Sequence, residues 1–158
     1  MAIIKPNNNT ISAITALPAA ITTGKVLQAV SSVQSFGGEE TTTSTSFTGT
    51  STTATITPSS TSNKILILAT GNTKYNGTED ARFTIYRGST DLQQTSNGRG
   101  FAHNFALNGI STTLNYLDAP SSTSALVYKV YFRVTSDGTV TWNSFTSTSS
   151  MTLFEIAG

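Results

Sequence analysis

Short runs of β-branched and aromatic residues alternate with turn residues from Lys25 to the end of the chain, with a turn signal about every 8 to 12 residues. No helical stretch separates these runs, as an α/β fold would require. Thr contributes 30 of the 158 residues, and its β-branched side chain suits a pleated, half-solvated sheet surface. The sequence therefore predicts an all-β fold, an antiparallel jelly-roll sandwich of about ten strands.

Clusters of Gly, Pro, Asn, Asp and Ser set the limits of the expected strands. These strands are residues 26–33, 41–47, 51–56, 64–70, 82–87, 101–107, 111–117, 125–134, 140–145 and 151–157. Asn108-Gly109 is the strongest hairpin signal in the chain, so the runs on either side of it are expected to pair. Gly49 is expected to form a turn between two Thr-rich runs, and residues 72–80 are expected to form a loop.

The charge balance excludes two classes of partner. The chain has 9 basic and 8 acidic residues, a net charge of +1, and only 11% charged residues. A nucleic-acid-binding domain needs a basic stripe that displaces counterions from phosphates, and the sequence has none. No apolar run is long enough to span a bilayer. We therefore expect neither nucleic-acid binding nor membrane insertion.

The longest run, residues 125–134, has bulky apolar or aromatic side chains on both faces. A lone sandwich buries only one face of each sheet, so such strands need a second cover, and without helices that cover is most simply another copy. The absence of cysteine points the same way, because stability must come from packing, a ligand or oligomerisation. The residues expected to pack in the core or between subunits are Leu126, Tyr128, Val130, Phe132, Leu153, Phe154 and Ile156.

One acidic residue lies inside an apolar run. Glu155, within residues 151–157, could pair with Lys129 or Arg133 on another strand. Buried carboxylates are rare, so an exposed position at the end of the strand is the favoured expectation.

Residues 1–24 differ from the rest and are expected to form a short N-terminal arm. A helix-like stripe runs through Ile11, Ile14, Leu17 and Ile21. Four apolar positions cannot make an isolated helix stable in water. The arm is therefore expected either to order against a partner, through these four side chains, or to remain a loose terminus.

Five segments carry a resemblance to a known family: residues 23–28, 56–67, 83–89, 115–120 and 151–156 (TGKVLQ, ITPSSTSNKILI, FTIYRGS, NYLDAP and MTLFEI). Residues 24–158 resemble a β-rich module of tail-fibre and other virion surface proteins of tailed bacteriophages. That module is similar to the trimeric jelly rolls of complement-type globular heads and of the tumour necrosis factor family. Its motifs are typical of strands and turns rather than of catalytic sites.

The resemblance implies a homotrimeric jelly roll, residues 25–158, on the surface of a phage particle. It implies a tail-fibre or spike-type adhesin that recognises a host-surface polysaccharide or receptor, with the arm binding other virion proteins. The alternative is a capsid decoration trimer that stabilises the phage head. A secreted lectin or cytokine-like ligand is a more remote reading.

Catalytic and metal-binding patterns are missing. The only histidine is His103, and no Ser lies in a Gly-x-Ser-x-Gly elbow. Glu39-Glu40 and Glu79-Asp80 are chain neighbours, which point to opposite faces of a strand and so cannot work as an acid/base pair there. A zinc site with one His and no Cys would be unusual. We expect no enzymatic activity, no metal and no cofactor.

Sugar binding is the chemistry that the remaining residues suit best, because it needs an exposed aromatic face beside amide and hydroxyl groups. Two segments offer this combination, although each residue could equally be a solvated loop position. The candidate ligand-binding residues are Tyr75, Asn76 and Arg82 in the first segment, and Asn97, Arg99, His103 and Asn104 in the second. Trp142 is assigned to the core or to a subunit interface.

Overall fold

The computed structural model describes residues 25–35, 37–92, 102–103 and 109–158. In these ranges the chain forms eleven β-strands joined by turns and loops. The strands are β1 Val26–Gln34, β2 Glu40–Thr42, β3 Thr48–Ile56, β4 Lys64–Tyr75, β5 Ala81–Arg87, β6 Thr90–Asp91, β7 Ala102–His103, β8 Ile110–Asp118, β9 Leu126–Val134, β10 Val140–Trp142 and β11 Ser149–Ile156. The prediction of an all-β, antiparallel chain of about ten strands is confirmed. The predicted arm, residues 1–24, lies outside the described residues.

The strands form two antiparallel sheets. The first has the order β1-β11-β4-β8, and the second has the order β3-β9-β5 with the short β6 and β7 on the other edge of β5. β4 is long enough to pair with two strands in succession, with β11 through residues 64–70 and with β10 through residues 73–75. β10 in turn pairs with β2. The first sheet therefore has β1 and β11 beside the start of β4, and β10 and β2 beside its end.

The core lies between the two sheets, because each strand directs alternate side chains inward. On β4, Ile65, Ile67 and Ala69 are buried, while Leu66 and Leu68 point away from the core. The largest fully buried side chains are Trp142, Tyr75, Tyr128, Phe83, Phe132, Ile56, Ile65, Ile67, Ile85, Leu114, Met151 and Leu153. Trp142 is thus a core residue of the single chain.

Two buried polar contacts tie the sheets together. The Trp142 indole N–H of the first sheet donates to the Thr52 hydroxyl of the second, at 2.7 Å. The Asp118 carboxylate on β8 accepts from the Tyr128 hydroxyl on β9, at 2.7 Å, and from the Arg87 guanidinium on β5, at 2.6 Å. Such pairs satisfy polar groups that would otherwise be costly to bury.

The residues predicted to pack are divided between two faces. Tyr128, Val130, Phe132 and Leu153 are buried in the core, and Leu126 packs against its margin. Phe154 and Ile156 are half-buried on the outer face of the first sheet. Within one chain, therefore, β4 and β11 bury one face and leave the other uncovered by the described residues.

Two expected turns are wrong. Gly49 lies inside β3, where β9 pairs with both ends of the strand around a bulge between Gly49 and Thr53. Residues 72–75 continue β4 instead of beginning a loop, because β8 and β10 pair with this end of the strand. In both places pairing with distant strands outweighs the local turn preference.

Of the hairpin expected around Asn108-Gly109, residues 101 and 104–108 lie outside the described residues, and the described parts of its two runs do not pair with each other. β7 pairs with β5 in the second sheet, whereas β8 pairs with β4 in the first. An Asn-Gly pair favours a turn, but it does not determine which strands the connection joins. Here the chain changes sheets between β7 and β8.

Both expectations for Glu155 are wrong. Its side chain is 0% exposed, and its partners are neutral. The carboxylate accepts hydrogen bonds at 2.6 Å from the side-chain amides of Gln28 and Asn63, and at 2.6 and 2.7 Å from the backbone N–H and hydroxyl of Ser59. Burial alone would raise the pKa of Glu155, but these bonds outweigh it and lower the pKa to about 2. The ionised carboxylate thereby joins β1, the β3–β4 loop and β11.

Candidate functional site

The expectation that Tyr75 offers an exposed ring in a loop is wrong. Tyr75 is the last residue of β4 and only 2% exposed. Its hydroxyl donates to the Asp137 backbone oxygen at 2.9 Å. Burial, together with the nearby Asp137 carboxylate, raises the pKa of the Tyr75 hydroxyl, which therefore remains a proton donor. The residue supports a surface site from below and cannot act as its stacking face.

Asn76 begins a loop that is locked to the β9–β10 connection. The Thr139 backbone N–H donates to the Asn76 side-chain oxygen at 2.6 Å, and the Asn76 N–H donates to the Thr139 carbonyl at 3.2 Å. The Asp137 carboxylate accepts from the backbone N–H and the hydroxyl of Thr78. Gly138, with φ +77°, lies directly against Gly77, where a side chain would collide with the backbone. The loop is thus pre-organised.

The other predicted ligand-binding residues do not gather around Asn76. Arg82 lies on β5 in the second sheet and forms an ion pair with Asp80 at 3.5 Å. His103 lies on β7, and its backbone pairs with Ala81 on β5. Asn97, Arg99 and Asn104 lie outside the described residues.

A pocket of about 490 Å³ opens beside Asn76, on the outer face of the first sheet where β2 and β10 adjoin the end of β4. This volume is within the range of small-molecule sites. We call it the Phe145 pocket. Its lining residues are Glu39, Thr41, Lys74, Tyr75, Asn76, Thr139, Thr141 and Phe145.

Phe145 is an aromatic residue held at the surface by an unusual backbone. Its side chain is 58% exposed. Asn143, Phe145 and Thr146 have φ values of +58°, +57° and +55°, in the left-handed region that non-glycine residues rarely adopt. Ser144 anchors the segment to β4, since its N–H donates to the Asn72 carbonyl at 3.1 Å and its hydroxyl to the Asn72 side chain at 2.5 Å.

The Phe145 ring also depends on a glycine. A Cβ added at Gly109 would lie 2.6 Å from two carbons of the ring, so only glycine allows this approach. The ammonium of Lys74 lies 5.3 Å from the ring centroid, within the range of a cation–π contact.

The charged groups of the pocket neutralise each other. The Lys74 ammonium contacts both carboxylate oxygens of Glu39, at 2.7 and 2.8 Å, and the Phe145 backbone N–H donates to Glu39 at 3.3 Å. The bond from Lys74, followed by that from Phe145, lowers the pKa of Glu39. The pocket therefore presents a fixed ion pair and no net charge.

Sequence reasoning found Asn76 but missed Phe145, Glu39, Thr41 and Lys74. An outward-facing Lys on a strand and a Phe among Ser, Asn and Thr are ordinary surface patterns. What singles them out is the left-handed backbone around Phe145 and the pairing of β2 with β10, and neither is visible in local sequence.

A second surface lies on the same face of the first sheet, at the opposite end of β4. Phe154, Leu66 and Leu117 are directly paired across β11, β4 and β8, so their side chains form one row. Leu68 and Ile156 extend it along β4 and β11. We call this set the apolar surface: Leu66, Leu68, Leu117, Phe154 and Ile156, of which Leu68 and Leu117 are exposed and the others half-buried.

A comparison with protein-family models gives no match, and no curated protein matches the sequence. In the described part of the chain, no helix could cross a bilayer. No three His, Cys, Asp or Glu side chains among the described residues lie close enough together to hold a metal ion.

Proposed function

We propose that the chain is a structural protein of a tailed-bacteriophage particle, a homotrimeric jelly-roll adhesin of tail-fibre or spike type. In this proposal it is displayed on the virion, binds a host-surface glycan and has no enzymatic activity. The resemblance of residues 24–158 to virion surface modules supports the location. The apolar surface is the observation that carries the proposal, because an apolar surface of this kind calls for a protein cover.

The strand pairing supports a jelly roll. Leaving aside the short β2, β6 and β10, eight strands remain, and they pair in a nested order: β1 with β11, β3 with β9, β4 with β8, and β5 with β7. The first strand thus pairs with the last, and each following pair lies inside the previous one. A hairpin rolled into two facing sheets gives this order.

The near-zero net charge of the chain favours contact between subunits through the apolar surface. A net charge of +1 leaves little repulsion between copies. Full burial of one exposed Leu side chain contributes about 1.5–3 kcal/mol. Leu68 and Leu117, with the remaining exposed parts of Leu66, Phe154 and Ile156, therefore supply a driving force in each copy. A second and a third copy of the chain are the proposed occupants.

Native mass spectrometry of the purified protein tests the trimer. A stable monomer at micromolar concentration would contradict it and would indicate that residues 1–24 or another virion protein cover the apolar surface. Quantitative mass spectrometry of purified particles tests the location. A copy number matched to the tail supports an adhesin, one matched to the capsid supports the decoration trimer, and absence from particles contradicts both.

The proposed partners of the arm are other virion proteins, bound through Ile11, Ile14, Leu17 and Ile21. Deletion of residues 2–22 should then leave the melting temperature of the trimer nearly unchanged while abolishing incorporation into particles. Incorporation of the truncated protein, or loss of the trimer, would contradict this role.

A further inference from the structure

The backbone around Phe145 adopts a conformation that is costly for residues other than glycine. Three of the four residues 143–146 lie in the left-handed region, which residues other than glycine rarely adopt. The segment is held there by the Ser144–Asn72 bonds, the bond from Phe145 to Glu39 and the close approach of Gly109. The result is an aromatic ring fixed in an exposed position. Strain that persists at a surface ring indicates a binding function.

The floor of the pocket is a row of polar groups across three strands. Thr41 on β2 pairs with Thr141 on β10, and Thr141 pairs with Lys74 on β4. Neighbours in such a row are about 5 Å apart, a spacing at which adjacent side chains can reach different atoms of one small ligand.

The hydroxyls of Thr41, Thr139 and Thr141 form no hydrogen bond with another group in the described part of the chain, although all three residues line the pocket. Thr141 is only 1% exposed, and that exposure leaves its hydroxyl open to the pocket. A polyhydroxylated ligand in the pocket would find hydrogen-bonding groups in these three hydroxyls.

Besides these hydroxyls, the pocket contains the side-chain amide of Asn76, which supplies donors in a fixed position. Its side-chain oxygen is held by the Thr139 N–H, so its NH₂ group is the part that can bond to a ligand. Because Glu39 and Lys74 neutralise each other, the site gives no advantage to a ligand with net charge. An exposed ring, short hydroxyls and one amide are the groups that recognise an uncharged sugar.

We propose that the Phe145 pocket binds one neutral sugar ring, stacked on Phe145 and hydrogen-bonded by Asn76 and the three threonines. This inference rests on the proposed function as a glycan adhesin and identifies where, and for which class of glycan, recognition occurs. Leu68, the residue of the apolar surface nearest to the pocket along β4, is six residues or about 20 Å from Lys74. A partner seated on the apolar surface therefore need not cover it.

Amide chemical-shift titrations of the isotope-labelled full chain test the proposal. The probes are glucose, galactose, mannose, N-acetylglucosamine and N-acetylgalactosamine, with glucuronic acid and a peptide mixture of random sequence as comparisons. At least one neutral sugar should shift the amides of Asn76, Thr139, Thr141 and Phe145 in a saturable way. The Phe145→Ala variant should weaken that binding about tenfold or more, while Phe145→Trp retains it.

Two further variants separate the pocket from the general fold. Thr141→Val keeps the shape of the side chain but removes its hydroxyl, and it should weaken the sugar severalfold without unfolding the protein. Phe47 lies in the β2–β3 turn and contacts Tyr86 of the second sheet, so Phe47→Ala should leave sugar binding unchanged. Both variants are compared with the wild-type chain in the same titration.

Four results would overturn the proposal: no shift with any neutral sugar at its highest soluble concentration, equal binding by Phe145→Ala, shifts centred outside the pocket, or binding of glucuronic acid or peptides alone. These results are independent of the particle measurements. A protein absent from virions that still binds a neutral sugar through Phe145 would contradict the proposed function and leave the pocket assignment intact.

Discussion

Around Tyr86 and Tyr131 the outer face of the second sheet is covered by the chain's own side chains, whereas no turn in the described ranges folds over the apolar surface on the outer face of the first. On the second sheet, Tyr86 and Tyr131 stack at 4.0 Å between ring centroids, and Phe47 meets Tyr86 edge-on at 6.2 Å. The Arg133 guanidinium lies 5.1 Å from the Phe47 ring centroid and donates to the Thr45 carbonyl. The β2–β3 turn thus folds back over the outer face of the second sheet.

The first sheet has no equivalent covering turn over Leu66, Leu68 and Leu117 within the described ranges. Aromatic content on an outward face is therefore a poor sign of an interface by itself. Tyr131 and Arg133 lie on the outward face of the 125–134 run, for which another copy was the expected cover, yet both find partners within the chain. The face that needs a partner is the one whose apolar groups have no internal cover.

The sharpest test of this contrast uses one substitution on each face. Leu117 on β8 is 51% exposed and Val127 on β9 is 46% exposed, so the two residues are matched in exposure and secondary structure. Leu117→Asp should abolish the proposed trimer in light scattering, because each copy would have to bury an unpaired carboxylate. Val127→Asp is the control and should remain trimeric. Dissociation of both variants, or of neither, would contradict the assignment of the interface.

A second pair of variants compares the inner and outer faces of the sandwich. Phe132 on β9 is buried against Phe83, while Phe154 on β11 lies on the apolar surface. Phe132→Ala should lower the free energy of unfolding by about 3–5 kcal/mol, since it leaves a cavity in the core. Phe154→Ala should mainly raise the trimer dissociation constant. Denaturant titrations at several protein concentrations distinguish these effects, and an equal, concentration-independent loss in both variants would contradict the distinction.

The alternation of apolar and polar residues along the strands was enough to predict the fold class and the side chains that face the core. Phe132 and Leu153 were predicted to pack because alternate positions of their runs are apolar. The outer faces could not be predicted, because Tyr131 is covered by Tyr86 of the neighbouring β5 and Tyr86 by Phe47 of the β2–β3 turn, and no local pattern encodes these contacts.

The same limit applies to the candidate site. Asn76 was found because Asn-Gly marks a loop, whereas Tyr75 was misassigned because β8 and β10 extend the strand next to it. Phe145 was missed because its exposure depends on three left-handed residues and on the distant Gly109. Glu155 was misassigned because its four donors come from β1 and a loop far away in sequence.

Acid should weaken the first sheet through Glu155. The folded pKa of about 2 is below the ordinary value of 4.5, so ionised Glu155 stabilises the fold above pH 4.5 and this contribution disappears as the pH falls toward 2. The expected loss is about 1 to 3 kcal/mol. Since Phe154 and Ile156 flank Glu155 on the opposite face of β11, the trimer should dissociate more readily over the same pH range.

Thermal melts from pH 7 to pH 2 measure this dependence. Glu155→Gln should be less stable than the wild type at pH 7 and should lose less stability on acidification. Glu79→Gln, in the loop before β5, is the matched control and should follow the wild-type acid profile. If Glu155→Gln matches the wild type at both ends of the range, the carboxylate has no special role in stability.

The smallest effect is expected where the second sheet covers itself. Phe47→Ala removes the edge-on contact with Tyr86 and the cation–π contact with Arg133. Each such contact contributes about 0.5–1 kcal/mol at a surface, so the loss of both should lower the melting temperature by about 2–8 °C. The trimer should persist, because this ring covers its own chain and not a neighbour. Dissociation of the Phe47→Ala variant in light scattering would place a subunit contact on the second sheet and reverse the comparison between the two faces.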